Sequence, residues 1–225
     1  PKPRAERMND WELGYKYQAM RFSAGLNLYY MAYKDQFVLT GERNAIGEMI
    51  HRNVGSSYRE GIELQSAWKP FDCFRWDMNA TFSRNRAMDW TVMSNNNKAL
   101  SFGTTHLSFS PDLIFNNIFT FNSHGFEASL QSQYIGEQYM TNDNNRHLML
   151  DGYFISNLNL SYTFKMRSVK AITIGATIYN LFSEKYFTNG YASAGYDDNG
   201  KETKTESAYS PQAPLNFLAH LSITF

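Results

Sequence analysis

The sequence is poor in the features that mark most soluble enzymes. It holds a single cysteine, Cys73, so an intramolecular disulfide is excluded and a cysteine-based metal site has no partner ligand. Neither sign of charge is in excess: 21 Lys and Arg balance 21 Asp and Glu. The isoelectric point near 7.4 leaves no basic field to hold nucleic acid by its phosphates. No run approaches the roughly 18–20 consecutive apolar residues of a membrane-spanning helix. That excludes helical spans but not closed β-barrels, which also pair every backbone group in lipid. The opening Pro1-Lys2-Pro3-Arg4 has no apolar core and is no signal peptide. There is no G-x-S-x-G, no zincin helix and no phosphate-cradling glycine loop, so enzymatic activity is not expected. The five histidines, His51, His106, His124, His147 and His220, form no ligand pair at a metal-binding spacing, and no metal or cofactor is expected.

Aromatic rings are abundant instead. Tyr contributes 15 residues and Phe 17, yet the mean hydropathy is −0.49. A chain is rich in large rings and polar on average when each apolar residue alternates with a polar one, the pattern of a two-faced sheet. Such alternation recurs about nine times. Trp11, Leu13, Tyr15 and Tyr17 alternate with Glu12, Gly14 and Lys16. Ala24 to Tyr30 alternate with Ser23 to Tyr29, and Ile62, Leu64 and Trp68 with Glu63 and Gln65. Trp76 to Phe82 oppose Asp77 to Thr81; Leu107 to Phe121 keep one parity. Phe126 to Tyr134 oppose Glu127 to Gln133, and Phe154 to Phe164 oppose Asn157 to Thr163. Ile172 to Ile178 and Phe217 to Phe225 complete the series. A period of 2 scatters these residues around a helix, so almost no helix is expected.

The connections alternate too. Short ones fall near Ala19–Arg21, Lys69–Cys73, Asn122–Gly125 and Met166–Lys170; long ones cover roughly Gly41–Ser57, Arg84–Thr104, Thr141–Leu148 and Gly190–Pro211. Short turns at one rim and long loops at the other are how outer-membrane barrels are built, the long loops lying outside the cell. Aromatics at the ends of the apolar runs, such as Trp11, Tyr30, Trp68, Trp76, Tyr134 and Phe225, suit the two membrane interfaces. A soluble β-sandwich is the plainer alternative, but it leaves its polar face with few Lys or Glu for solubility. The expected fold is therefore all-β: a transmembrane antiparallel barrel of about nine strands, with Glu12, Asn27, Glu63, Asp77 and Gln131 toward the interior. Single-chain bacterial barrels have an even strand count. An odd count places residues 1–10 outside the cell and makes the chain part of a larger barrel that cannot close alone.

Several segments then resemble a known family. Arg7-Met8-Asn9-Asp10-Trp11-Glu12-Leu13-Gly14-Tyr15 resembles the "E-x-x-x-x-Y-E-L-G-Y" strand of TonB-dependent outer-membrane receptors. Asn27 to Gln36 resembles the strand that follows it. Tyr58-Arg59-Glu60-Gly61-Ile62-Glu63-Leu64 is similar to "G-I-E-L-E", and Gln133-Tyr134-Ile135-Gly136 to "Q-Y-V-G". Thr177-Ile178-Tyr179-Asn180-Leu181-Phe182-Ser183-Glu184-Lys185-Tyr186 is similar to "V-x-N-L-F-N-x-K-Y". The resemblance implies that residues 1–225 are the C-terminal portion of a barrel of about 22 strands, with the N-terminal plug and the earlier strands absent. It implies active uptake of a scarce nutrient in a Gram-negative outer membrane, with a ferric siderophore or haem favoured, energised by the TonB complex through the missing plug. It also makes Phe225, at the end of an aromatic-aliphatic strand, the recognition signal for the barrel assembly machinery. Outer-membrane lipids and a small-molecule metal chelate are the further partners implied. A passive porin, or a barrel enzyme of the lipase or protease type, is the alternative.

For such a receptor the expected ligand site lies in the long loops. Arg84, Arg86, Trp90 and Met93 in one, and Tyr191, Tyr196 and Tyr209 in another, offer the charge and flat rings that suit an anionic iron chelate. Loop-to-loop packing over the barrel mouth uses aromatics as well and is the plainer reading. His51 and His147 fall in expected loops, where a solvated histidine is the ordinary case. His220 is expected to face the lumen and His124 to sit in a periplasmic turn. Asp197-Asp198-Asn199-Gly200 lacks the ligand spacing of a calcium loop and reads as a turn.

Overall fold

The computed structural model describes residues 3–43, 46, 48–165 and 169–225. Fourteen strands form, and no helix is present among the described residues. They are β1 (Arg7–Gln18), β2 (Phe22–Arg43), β3 (Met49–Phe71), β4 (Phe74–Met93), β5 (Ala99–His106), β6 (Leu113–Ser123), β7 (Phe126–Ile135), β8 (Gln138–Tyr139), β9 (Met149–Leu150), β10 (Tyr153–Phe164), β11 (Ala171–Tyr179), β12 (Phe187–Tyr196), β13 (Glu202–Pro211) and β14 (Asn216–Thr224). Nine of them pair in the order β1-β2-β3-β4-β6-β7-β10-β11-β14, with β5 added beside β4. Each pairing is antiparallel, and β1 and β14 stand at the two ends of the order. The nine alternating runs of the sequence correspond to these nine strands, an open arc of barrel wall.

Register keeps the two faces apart across the whole arc. Leu13 lies opposite Leu28, Leu28 opposite Ile62, and Ile62 opposite Phe82. On the other face Gly14 meets Asn27, Asn27 meets Glu63 and Glu63 meets Thr81. A slip of one residue would exchange the faces of a strand, so the period of 2 fixes the register. The apolar face is not a core. Leu13 is 70% exposed, Phe217 74% and Phe225 80%, and no second sheet covers them. The polar face lines the concave side, where Glu12, Asn27 and Glu63 share one hollow and Gln131, Asn159 and His220 another. Its side chains pair with one another: Asn27 Nδ2 donates to Glu63 Oε2 at 3.2 Å, and Gln133 Nε2 to Asn116 Oδ1 at 2.8 Å. Two of them lie flat against the wall because the facing residue is glycine. A Cβ on Gly61 would stand 2.6 Å from the Tyr29 hydroxyl oxygen, and one on Gly175 2.3 Å from the His220 ring.

The outward band has measurable height. From the Trp68–Trp76 pair up to Trp11, Tyr30 and Glu60 the strands advance eight residues, from 68 to 60 on β3. At about 3.4 Å per residue and a tilt near 40°, that is roughly 20 Å, close to the apolar belt of an outer-membrane barrel. Aromatic pairs mark both ends: Trp68 meets Trp76 edge-on with ring centroids 6.4 Å apart, and Trp11 and Tyr30 are 5.8 Å apart.

The turns below this band are short, at Ala19–Arg21, Asp72–Cys73 and His124–Gly125. His124, at a positive φ of 49°, occupies the last of these as expected. Met166, Arg167 and Ser168 of the fourth short turn lie outside the described residues. The long connections differ from expectation. Much of Gly41–Ser57, Arg84–Thr104 and Gly190–Pro211 is strand, not loop: β2 and β3 run 22 and 23 residues, twice the 9–11 needed to cross a bilayer. These strands cross the membrane band and continue above it as paired ribbons, which satisfy their own backbone groups. Leu107 and Phe109 also fall outside β6, in the connection after β5.

One sequence motif explains a corner. Asn180, only 3% exposed and at a φ of 50°, ends β11. Its Nδ2 donates to the carbonyls of Glu184 and Ala213 at 2.9 and 3.1 Å, and its Oδ1 accepts from the Glu184 amide at 2.9 Å. An asparagine tolerates the left-handed backbone and closes the turn with its own side chain.

Two outcomes follow for substitutions on the opposed faces. Leu64→Arg, in the middle of the outward band, should destabilise the barrel by about 2–4 kcal/mol. Gln131→Arg on the concave face should cost little. Urea titration of the full-length receptor in lipid vesicles measures both; equal costs would reverse the assignment of faces.

Candidate functional site

Above the apolar band the chain builds a crown from four units. These are the upper β2–β3 ribbon, the β4–β5 hairpin, residues 140–148 between β8 and β9, and the β12–β13 hairpin. They lock together. Beyond β11, the β12–β13 hairpin reaches as far as β2 and lies against β9. Its tip meets the tip of β4–β5: the Asn95 amide donates to the Tyr196 carbonyl at 2.9 Å, and Asn95 Nδ2 to Thr203 Oγ1 at 3.0 Å. Asp198 is the clasp. It accepts from Ser94 Oγ at 2.5 Å and Asn96 Nδ2 at 3.1 Å, while Lys98 Nζ reaches its backbone carbonyl at 2.8 Å. Hydrogen bonds from Ser94 and Asn96, helped by the Lys98 charge, hold this carboxyl below the usual carboxylate range.

A second knot lies within residues 140–148, a segment rich in amides. Asp143 Oδ2 accepts from the Tyr196 hydroxyl at 2.8 Å, and Oδ1 from Thr141 Oγ1 at 2.6 Å. Asn145 Nδ2 donates to Glu202 Oε2 at 2.6 Å, and the Asn144 and Asn142 side chains accept from the amides of His106 and Ser108 at 2.8 and 2.7 Å. Burial and the Asp143 carboxylate push the Tyr196 phenol well above its ordinary pKa, so it stays a neutral donor. Beneath these polar contacts are two small apolar clusters. Val54, Ala87, Trp90 and Leu107 form one; Met140, Leu148, Leu150 and Ala192 form the other. The Phe102 ring packs against the first of these and sits 5.0 Å from the Tyr196 ring.

The residues expected in open loops are placed otherwise. Trp90 is 2% exposed, with the Arg52 guanidinium 4.2 Å over its ring. A bulge at Asp89, whose φ is 53°, breaks the register between Ala87 and Trp90 and accompanies its burial. Tyr196 is 4% exposed, and Tyr191 is half-buried with its hydroxyl 3.4 Å from Ser193 Oγ. Arg84 and Arg86 belong to β4, where they continue the outward parity of Met78, Ala80 and Phe82 and face away from the concave side. Arg86 is bound to Asp112 at 3.3 Å. Met93 closes β4, and Tyr209 is exposed on β13 beside Phe187. His51 stands on β3 stacked on Phe37, not in a loop, while His147 does lie in the 140–148 segment, 3.4 Å from Glu202. Asp197–Gly200 is the β12–β13 turn, closed by the Gly200 amide on the Asp197 carbonyl at 3.1 Å. Asp143, Asn145 and Glu202, which help hold the crown, were not singled out from the sequence, and Asp198 was read only as part of a turn; the run Thr141-Asn142-Asp143-Asn144-Asn145 was the available signal. Among the described residues no group of three His, Cys, Asp or Glu side chains could hold a metal ion.

Residues 3–181 match the family described as TonB dependent receptor-like, beta-barrel. The chain belongs to that family. It is thus part of an outer-membrane β-barrel of a Gram-negative cell, and the membrane placement read from its two faces stands. Among curated proteins it is similar to the pesticin receptor of Yersinia enterocolitica, at 22% identity over 187 residues, 83% of this chain and 26% of that protein. Among solved structures it is similar to the ferric yersiniabactin uptake receptor FyuA from Yersinia pestis, with a TM-score of 0.68, 18% identity, and coverage of 96% of this chain and 29% of that one. The closed form of the ferric-catecholate import receptor Fiu from E. coli K12 gives a TM-score of 0.66 at 18% identity, covering 98% and 28%. The copper transporter OprC gives 0.66 at 17%, covering 98% and 32%. The chain thus spans between a quarter and a third of the length of these relatives.

Two measurements probe how the barrel holds its crown. Tyr196→Phe removes the donor to a buried carboxylate and should loosen the knot by about 1.5–3 kcal/mol, read as faster amide exchange across 140–148. Unchanged exchange there would show that the bond carries no local stability. The Asp198 clasp has a pH sign. Its depressed pKa makes its contribution complete above the ordinary carboxylate value, about 4, and lost as pH falls through the folded value. Proteolytic nicking of the β4–β5 and β12–β13 tips should therefore rise only in acid, and Asp198→Asn should remove that dependence.

Proposed function

We propose that this chain is wall and crown of an outer-membrane receptor that imports a scarce nutrient as a metal chelate, a ferric siderophore or haem, with energy delivered by the TonB complex through a plug domain. The observation that carries the reading is the crown itself, in a chain of this family: interlocked hairpins standing above a polar concave wall. A passive channel gains nothing from such hairpins, whereas a capture surface needs rigid, closely placed side chains. The cargo follows from chemistry and from the relatives. The similar structures include receptors described as ferric yersiniabactin, ferric-catecholate and ferric preacinetobactin receptors, as well as a copper transporter, which favours a metal-bearing ligand.

Within the crown, Trp90 and Tyr196 set the position of the hairpins, and Tyr191, with Tyr209, lies on the hairpin best placed to meet ligand. Arg84 and Arg86 take no part in capture in this reading.

Binding to the full-length receptor tests both levels. A ferric siderophore or haem should bind, and Trp90→Ala or Tyr196→Ala should weaken it at least tenfold by releasing the crown. Binding only of cobalamin or an oligosaccharide would overturn the cargo. Uptake into cells should stop when the proton-motive force is dissipated; uptake that persists would identify a passive porin.

A further inference from the structure

The sequence holds two Asn-Gly pairs, Asn189-Gly190 and Asn199-Gly200, and both lie on the β12–β13 hairpin. Such a pair carries the groups for a reaction with itself. The glycine's backbone nitrogen is a nucleophile beside the asparagine's side-chain amide carbon, and no Cβ stands in the way. As sequence the two pairs are identical. The fold separates them. Asn189 lies opposite Ser210 and Gly190 opposite Tyr209 in the hairpin ladder, and the Gly190 amide donates to Asn189 Oδ1 at 2.8 Å. A Cβ on Gly190 would stand 2.7 Å from Met140 Sδ and 2.8 Å from the Ala208 carbonyl oxygen, so the backbone there is hemmed in. Closing a ring at this place would tear the ladder.

Asn199-Gly200 sits at the hairpin tip and is free to turn. Asn199 is exposed, and its side chain has no hydrogen-bond partner among the described residues. Gly200 takes a φ of 80°, and nothing lies within 4 Å of the place a Cβ would occupy. One bond restrains its amide, to the Asp197 carbonyl at 3.1 Å. Around this pair the turn is closed by Asp197 Oδ1, which accepts from the amides of Asn199 and Lys201 at 2.9 Å each. The residue before Asn199 is Asp198, whose contacts with Ser94, Asn96 and Lys98 join this tip to the β4–β5 hairpin.

We propose that Asn199 is a site of spontaneous, irreversible self-modification that releases the clasp between the β4–β5 and β12–β13 tips. The Gly200 nitrogen gives its proton to hydroxide and forms a bond to Asn199 Cγ. The Cγ–Nδ2 bond breaks, and Nδ2 takes up a proton and leaves as ammonia. Water then opens the cyclic imide. Attack at Cγ yields aspartate, and attack at the Asn199 backbone carbonyl carbon yields isoaspartate; one water is consumed for each ammonia released. Either product adds a negative charge beside Asp197 and Asp198. Isoaspartate also lengthens the main chain by one carbon inside a turn closed by bonds of 2.9 and 3.1 Å, which pulls Asp198 off Ser94 and Asn96. Because the nitrogen must lose its proton, the reaction quickens with rising pH. The inference is independent of the cargo the receptor carries.

The test incubates the full-length receptor in detergent, in warm, mildly alkaline water enriched in heavy oxygen, and maps its peptides by mass. Asn199 should convert about tenfold faster than Asn189 or more, and the new carboxyl should carry the heavy oxygen. In the denatured receptor the two asparagines should convert at similar rates, since only the fold separates them. Part of the product should accept a methyl group from an isoaspartyl methyltransferase. After return to neutral pH, proteolytic nicking of the two tips should rise in proportion to conversion. Asn199→Gln, whose side chain loses no partner, should pass through the same incubation as resistant as fresh receptor. Equal conversion of Asn199 and Asn189 in the folded receptor would overturn the site. Nicking that stays flat as Asn199 converts, or that rises equally in Asn199→Gln, would overturn the release.

Discussion

Every feature of this chain descends from the obligation to pair backbone groups where water is absent. An unpaired N–H or C=O in hydrocarbon costs several kcal/mol, so only helices or closed ladders of strands cross a bilayer. With no apolar run long enough for a helix, the chain is left with the ladder. The ladder then imposes the period of 2, the period of 2 divides the residues into two faces, and the division decides where every charge can stand. It also makes an arc with β1 and β14 at its ends an incomplete object in lipid, because each end presents a row of unpaired donors and acceptors.

The crown is held by a different kind of force. It has little apolar area, only two clusters of four buried residues each, and compensates with buried polar groups that are nearly all satisfied. Asp143, Asn142, Asn144 and Asn145 bind backbone and side chains from three other segments, so the short stretch at 140–148 acts as a hub. Such networks specify geometry sharply, because each member that loses a partner leaves a desolvated group behind. Thr105 Oγ1 is the one buried side-chain polar atom without a partner among the described residues.

This contrast explains what was legible in the sequence. The wall was readable because one face in lipid and one in water force alternation: Glu12, Asn27, Glu63 and Gln131 lie on the concave side as the pattern required. The ribbons above the membrane were not, because both of their faces meet water or other polar strands. Lys204-Thr205-Glu206 on β13 carries no alternation to read, so the β12–β13 hairpin passed for a loop. Trp90 turned inward at a bulge set by the positive φ of Asp89, which no local residue preference announces. Arg84 was a different case. It continues the parity of Ala80 and Phe82, and following that parity past the last apolar residue would have placed it on the outer face.

The inner wall carries one more consequence. Tyr29 and His220 lie flat because Gly61 and Gly175 leave room beneath them, and a Cβ on Gly61 would also stand 2.5 Å from the Phe82 carbonyl oxygen. At these two places a ring coats the strand surface instead of projecting from it. Replacing either glycine would push the overlying ring off the wall toward the concave side without altering a single charge.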